Sequence, residues 1–172
     1  MITRQEANCE RRQREEESKI IDEQSLNIPY REAVGSLLYL ASATRPDIAF
    51  TVNVLSRHQI NPTENEWDMV KRVFKYLKGT KSLGLKYLGR QNGLLAYSDA
   101  SFADCKSSVS TCGFIIKLFG DTIAWRVTKQ SYVALSTCEA EYVAMSQACQ
   151  ELIAINKSLM RVYNDSLLPA TV

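Results

Sequence analysis

The chain predicts an α+β fold with its helices and strands largely segregated, and three patterns point to it. Apolar residues recur at helical spacing from Tyr30 to Leu77, in runs separated by Pro and Asn. After Gly79 the period changes, and apolar runs alternate with glycine-bearing turns as far as Val127. A long helical pattern then carries the chain from Ala140 to Leu159. Helices followed by strands, instead of alternating with them, argue for α+β. A small helical bundle comes first, then a sheet flanked by one long helix.

Residues 1–28 are set apart by charge. Glu10-Arg11-Arg12-Gln13-Arg14-Glu15-Glu16-Glu17 places both signs together with few apolar residues between them. Arg and Glu at helical spacing form i,i+4 pairs, but such a helix has no face to bury. A disordered segment is expected there.

Pro29 opens the bundle, which occupies residues 29–83. Ala33, Val34, Leu37, Leu38 and Ala41 predict a helix over Tyr30–Ala43. Thr44-Arg45-Pro46-Asp47 breaks it and starts a second, since Pro in a first turn forfeits no helical hydrogen bond. Ile48, Val52, Leu55 and Ile60 give that second helix an apolar side, and Asn61-Pro62 ends it. Thr63-x-x-Glu66 is a capping box for a third helix. Trp67, Val70, Phe74 and Leu77 mark one side of it, Lys71, Lys75 and Lys78 another, and Gly79 ends it.

Residues 84–172 form the second unit. Gly84 to Leu88 is expected to be a strand, followed by a turn through Gly89 to Gly93. Leu94 to Asp99 is the next strand. Gly113 to Phe119 and Thr122 to Val127 read as a hairpin across Gly120-Asp121, and Ser131 to Leu135 extends or covers the sheet. Ser136-x-x-Glu139 caps the long helix, which runs to about Tyr163 before Asn164-Asp165-Ser166 and Pro169 end it.

Composition narrows the function. Of 172 residues 45% are hydrophobic, enough for a core, and the net charge of +2 makes no global case for nucleic acid. The distribution says more: Lys71 to Arg90 holds seven basic residues and no acid. A lysine face of this kind either is solvated or meets phosphates, where each lysine displaces counterions. No apolar run spans a bilayer and no secretory signal opens the chain, so no membrane partner is expected. The five cysteines form no Cys-x-x-Cys pair, which argues for a reducing, intracellular setting, cytoplasmic or nuclear. A single histidine, His58, argues against Ser-His-Asp hydrolysis.

The acids carry the chemistry. Asp99 stands where an apolar strand gives way to small and polar residues, a position that also suits a simple turn. Glu139 fits the capping role. Glu141 lies about 200° around the helix from it, free to face the sheet. A carboxylate at a strand end and another at the start of a helix on the same sheet can share a magnesium ion.

These residues resemble a family. Tyr97-Ser98-Asp99-Ala100-Ser101-Phe102-Ala103 looks like the first-strand motif of copia-type retrotransposon ribonuclease H, and Ser110-Thr111-Cys112-Gly113-Phe114 is similar to its next strand. Trp125, Lys129-Gln130 and Ala134-Leu135-Ser136-Thr137-Cys138-Glu139-Ala140-Glu141-Tyr142-Val143-Ala144 complete the likeness. Upstream, Tyr30-Arg31-Glu32-Ala33-Val34-Gly35-Ser36-Leu37-Leu38-Tyr39-Leu40 and Thr44-Arg45-Pro46-Asp47-Ile48-Ala49 resemble the segment joining reverse transcriptase to that nuclease. The resemblance runs from about Pro29 to the C-terminus.

It implies a thumb-like bundle followed by a truncated ribonuclease H-like mixed sheet, in a fragment of a Pol polyprotein. It implies cleavage of RNA in an RNA–DNA hybrid, with Asp99 and Glu141 as catalytic and metal-binding acids on two Mg2+ ions. Lys71, Lys75 and Lys78 would lie along the duplex, and the remainder of Pol would be a partner, in the cytoplasm within a virus-like particle or in the nucleus. The chain departs from the family in three places. The family's third acid lies on a strand after the long helix, where this chain stops. The polymerase palm with its paired aspartates is missing upstream. Val109 stands where relatives often carry arginine. The expectation is a chain inactive alone. The alternative is a non-catalytic nucleic-acid-binding or interaction protein derived from a retroelement. A weaker one is an unrelated metal-dependent hydrolase drawing on Asp104 or Asp121.

Overall fold

The computed structural model of the chain describes residues 28–90, 93–105 and 107–163; residues 1–27 of the charged N-terminal segment lie outside them. The first helix, α1, spans Tyr30–Ala43 and buries Tyr30, Val34, Leu37 and Ala41, residues three or four apart on one face. A 3-10 turn over Pro46–Ile48 leads into α2, Ala49–Ser56. This helix is shorter than its pattern suggested. The Arg57 and His58 amides donate to carbonyls three residues back, Val54 and Leu55, both at 3.1 Å, which tightens and closes the last turn. Ile60 therefore sits outside the helix, 82% exposed.

The third helix, α3, spans Glu64–Gly79 behind the expected capping box. The Thr63 amide donates to Glu66 Oε2 at 2.7 Å. The Thr63 hydroxyl also donates to that oxygen and, foremost among several causes, holds the Glu66 carboxyl below its ordinary range. Val70 and Val73 are buried, with Trp67 and Leu77 packed beside them. The core takes Val73 where the pattern named Phe74, which is 42% exposed. Phe74 falls between the buried stripe and the lysine face. Val34, Leu37, Val52, Leu55 and Val70 form the centre of this core, and the Tyr30 hydroxyl donates across it to the Leu55 carbonyl at 2.9 Å.

Gly84 to Leu88 is not a strand. Tyr87 and Leu88 are exposed and Leu85 is only half-buried, so no buried face rewards pairing. The Leu88 and Gly89 amides donate instead to the Asp121 carboxylate, at 2.5 and 2.8 Å. The sheet comprises β1 (Leu94–Ser101), β2 (Thr111–Leu118) and β3 (Asp121–Lys129) in that order. Both pairings are antiparallel, so the described strands form an antiparallel sheet where the resemblance implied a mixed one. The hairpin turns one residue earlier than expected. Phe119 and Gly120 both have positive φ, 55° and 90°, the handedness that suits a two-residue hairpin. Ser131 to Leu135 forms no strand, and Tyr132, Val133 and Leu135 are exposed.

The long helix, α4, spans Thr137–Tyr163. At its start the Glu139 amide donates to the Ser136 hydroxyl at 3.1 Å, and the Glu139 carboxylate accepts from the Leu135 amide at 2.7 Å. Ala148 and Leu152 pack on Leu94, Ala96, Phe114 and Ile116 in a second core. These strand residues alternate along β1 and β2, as one face of a sheet requires. The opposite face meets the bundle. There the Trp125 indole N–H donates to the Ala41 carbonyl at 2.7 Å, and the Asn53 amide donates to the Val127 carbonyl at 3.0 Å. The described architecture is thus α+β, a three-stranded antiparallel sheet between α4 and the bundle. Among the described residues no helix is long and apolar enough to cross a membrane.

Candidate functional site

Strand alternation sets where Asp99 points. It shares a face of the sheet with Tyr97 and Ser101, while Leu94 and Ala96 turn to α4. In register, Asp99 lies opposite Gly113, Tyr97 opposite Ile115 and Ser101 opposite Thr111. These residues, with Trp125 and Val127 from β3, form the floor of a cleft of about 370 Å3. Pro46, Ala49 and Phe50 of the bundle close it from above. Gly113, opposite Asp99 in register, puts no side chain on the floor there.

Glu141 stands on the first turns of α4 and is exposed, like Asp99. It borders a second cleft with Cys138, Tyr142, Met145 and Ser98. Ser98 borders both clefts, so the two acids flank the same stretch of β1, which is the edge of the described sheet. Asp99 approaches it from the bundle side and Glu141 from the α4 side. Glu139 is occupied as the helix cap. Among the described residues no three His, Cys, Asp or Glu side chains gather into a group able to hold a metal ion.

The other acids have structural partners. Asp104 accepts from the Thr111 hydroxyl at 2.8 and 2.6 Å and lies 3.9 Å from Arg57 Nη1. Thr111 lines the Asp99 cleft, so Asp104 is one residue removed from it. Asp121 holds the Leu88 and Gly89 amides and pairs with Leu118, five positions along β2 from the partner of Asp99.

Lys71, Lys75 and Lys78 share one exposed face of α3. Lys71 pairs with Asp68 at 2.5 Å, and its hydrogen bond holds the Asp68 carboxyl below its ordinary range. Met69, Arg72 and Tyr76 lie roughly 130° around the helix from the lysines. They border a cleft with Asp47, Ile48 and Thr51. Tyr76, Asp47 and Pro46 border the next cleft along, and Pro46 also lines the one holding Asp99. Arg72 is therefore the α3 cation on the side that leads to Asp99.

Sequence reasoning missed Arg57 and Phe50. Arg57 Nη2 donates to Asn53 Oδ1 and to the Thr111 hydroxyl, each at 2.8 Å, and Nη1 donates to Cys105 Sγ at 2.8 Å. Its partners in the second unit lie some fifty positions on, so nothing local announces it. Phe50 did carry a signal. It is an aromatic out of phase with the buried stripe Ile48, Val52 and Leu55.

The chain is 44% identical over 129 residues to the secreted RxLR effector protein 161 of Plasmopara viticola, covering 74% of this chain and 91% of that protein. It is 40% identical over 136 residues to the retrovirus-related Pol polyprotein from transposon TNT 1-94 of Nicotiana tabacum, 78% of this chain. It is 44% identical over 126 residues to the corresponding polyprotein from transposon RE2 of Arabidopsis thaliana, 72% of this chain. The chain spans 10% and 8% of those two polyproteins. No protein-family profile and no solved structure matches it.

Proposed function

This chain belongs to the family of copia-type retrotransposon Pol polyproteins, and from that premise we propose that it is the Pol segment where a reverse transcriptase thumb adjoins a ribonuclease H domain. The observation that carries the proposal is its likeness to a short stretch within much longer Pol polyproteins. Relatives so named favour this reading over a non-catalytic interaction protein. An acid on the first strand and another early in the following helix support it from the side of chemistry. The substrate on this reading is the RNA strand of an RNA–DNA hybrid.

Magnesium ions bound by carboxylates would activate water for phosphodiester hydrolysis. Asp99 and Glu141 would contribute two of those carboxylates. Two acids in separate clefts do not make a complete set for a hard cation that wants several oxygens. The reading therefore assigns them to a site whose further ligands come from outside the described residues. It expects the 172-residue chain to leave a hybrid uncut in magnesium. Cleavage that Asp99→Asn abolishes would show that these acids suffice.

Binding is separable from cleavage. Hybrid affinity is expected to fall steeply with salt, and each of Lys71→Ala, Lys75→Ala and Lys78→Ala to reduce the slope of log affinity against log salt by about 1. An unchanged slope in the triple variant would remove the lysines from the interface.

A further inference from the structure

The cleft holding Asp99 has a feature that phosphodiester hydrolysis does not use: two exposed aromatic rings, one from each unit. Phe50 on α2 is 49% exposed and Tyr97 on β1 is 56% exposed, and both line it. Trp125 lies on the floor, with its indole N–H already committed to the Ala41 carbonyl, so its ring rather than its polar edge is available. An exposed Phe or Tyr loses apolar burial by facing water. Two around one cleft suit a flat apolar ligand.

We propose that this cleft takes one unpaired nucleobase, stacked against Phe50 and Tyr97. The proposal rests on the nucleic-acid reading above and adds the mode of binding. Stacking on aromatic side chains is how proteins hold unpaired bases, because every base has a π-face. The cleft volume, about 370 Å3, falls in the range of small-ligand sites.

Charge decides which part of the nucleotide enters. Among the described residues Asp99 is the one carboxylate lining the cleft; of the cations beside it, Arg126 lies over the Phe114 ring and Lys117 over the Tyr97 ring. Without a metal ion Asp99 repels a phosphate while accepting hydrogen bonds from a base's N–H groups. The phosphates run the other way, over Pro46 toward Arg72. Asp47 on that path is neutralised by Arg45, 2.7 Å away. Gly113 leaves room for the base beside Asp99. A paired base cannot enter, so this cleft takes a single-stranded end or overhang and is separate from the grip on the paired hybrid.

The chain has two tryptophans, so Trp67→Phe leaves Trp125 as the sole emitter. Titration with a short labelled oligothymidylate reads total binding by anisotropy and cleft occupancy by Trp125 emission. Binding is expected to quench Trp125. Phe50→Ala and Tyr97→Ala are each expected to weaken it about tenfold without changing the salt slope, and Tyr97→Phe to restore it. An abasic oligomer should bind without quenching. Oligouridylate in parallel tells whether RNA or DNA supplies the base, quenching by either supporting the proposal. Binding without quenching, or unaltered by Phe50→Ala, overturns the proposal and leaves the nucleic-acid reading intact. Absence of any binding, to oligomer or hybrid, removes that reading and this proposal with it.

Discussion

Arg45 is a cation in a place where water does little for it. It is 7% exposed, and its guanidinium donates to Asp47 at 2.9 and 2.7 Å and to the Thr80 hydroxyl and carbonyl at 2.7 and 3.2 Å. The Tyr76 hydroxyl donates to the same Asp47 carboxylate at 2.9 Å. The hydrogen bond from Arg45 is the main reason the Asp47 carboxyl lies below its ordinary range. A depressed carboxyl stabilises the fold above its unfolded-state pKa, and that contribution is lost as pH falls through the folded value. Asp47→Asn leaves the buried guanidinium without its counter-charge and is expected to cost about 2 kcal/mol at neutral pH. Denaturant melts from neutral to acidic pH check it, because the gap between variant and parent should close as Asp47 protonates. A gap constant with pH would mean that packing, not charge, is responsible.

At the scale of elements, α4 is the member on which the second core depends. Its buried positions Ala140, Ala144, Ala148 and Leu152 recur every four residues. Small residues at three of these let the helix approach the sheet closely, and Leu152 supplies bulk against Leu94 and Ile116. Leu152→Ala is expected to cost about 3 kcal/mol, as buried Leu truncations do. Ile153→Ala, one residue on and exposed, should change stability by no more than about 0.5 kcal/mol. Equal effects in chemical denaturation would contradict the packing described. The cap is a separate contribution: Ser136→Ala should cost about 1 kcal/mol.

At the scale of the whole molecule, the bundle and the sheet unit are held by a few directed hydrogen bonds. Arg57 is the central one, joining α2 through Asn53 to Thr111 and Cys105. Arg57→Ala is expected to cost about 2 kcal/mol. It should raise hydrogen exchange from Ala103 to Thr111 more than in α1. Arg57→Lys should not restore protection, because an ammonium lacks the planar fork that reaches separate acceptors. Exchange rising uniformly along the chain would show that Arg57 supports the whole fold and not the junction.

Much of this was legible in the residues themselves, and what was legible is local. The bounds of α1, the Thr63–Glu66 box and the Ser136 cap of α4 follow from periodicity and capping, which act over three or four positions; the expected end of α4 at Asn164 to Pro169 lies outside the described residues. The motifs around Asp99 and Glu141 were equally readable, because a family likeness resides in consecutive residues. Tertiary structure alone decided the rest. Gly84 to Leu88 has the composition of a strand, yet a strand needs a partner, and Asp121 took the Leu88 amide and the next one, Gly89, instead. Phe74 yielded its place in the core to Val73, because the angle at which α3 meets α1 and α2 sets which side is buried. The cleft that unites Phe50, Tyr97, Trp125 and Asp99 joins residues up to 75 positions apart. No local pattern encodes that meeting; it exists only once the bundle has docked on the sheet.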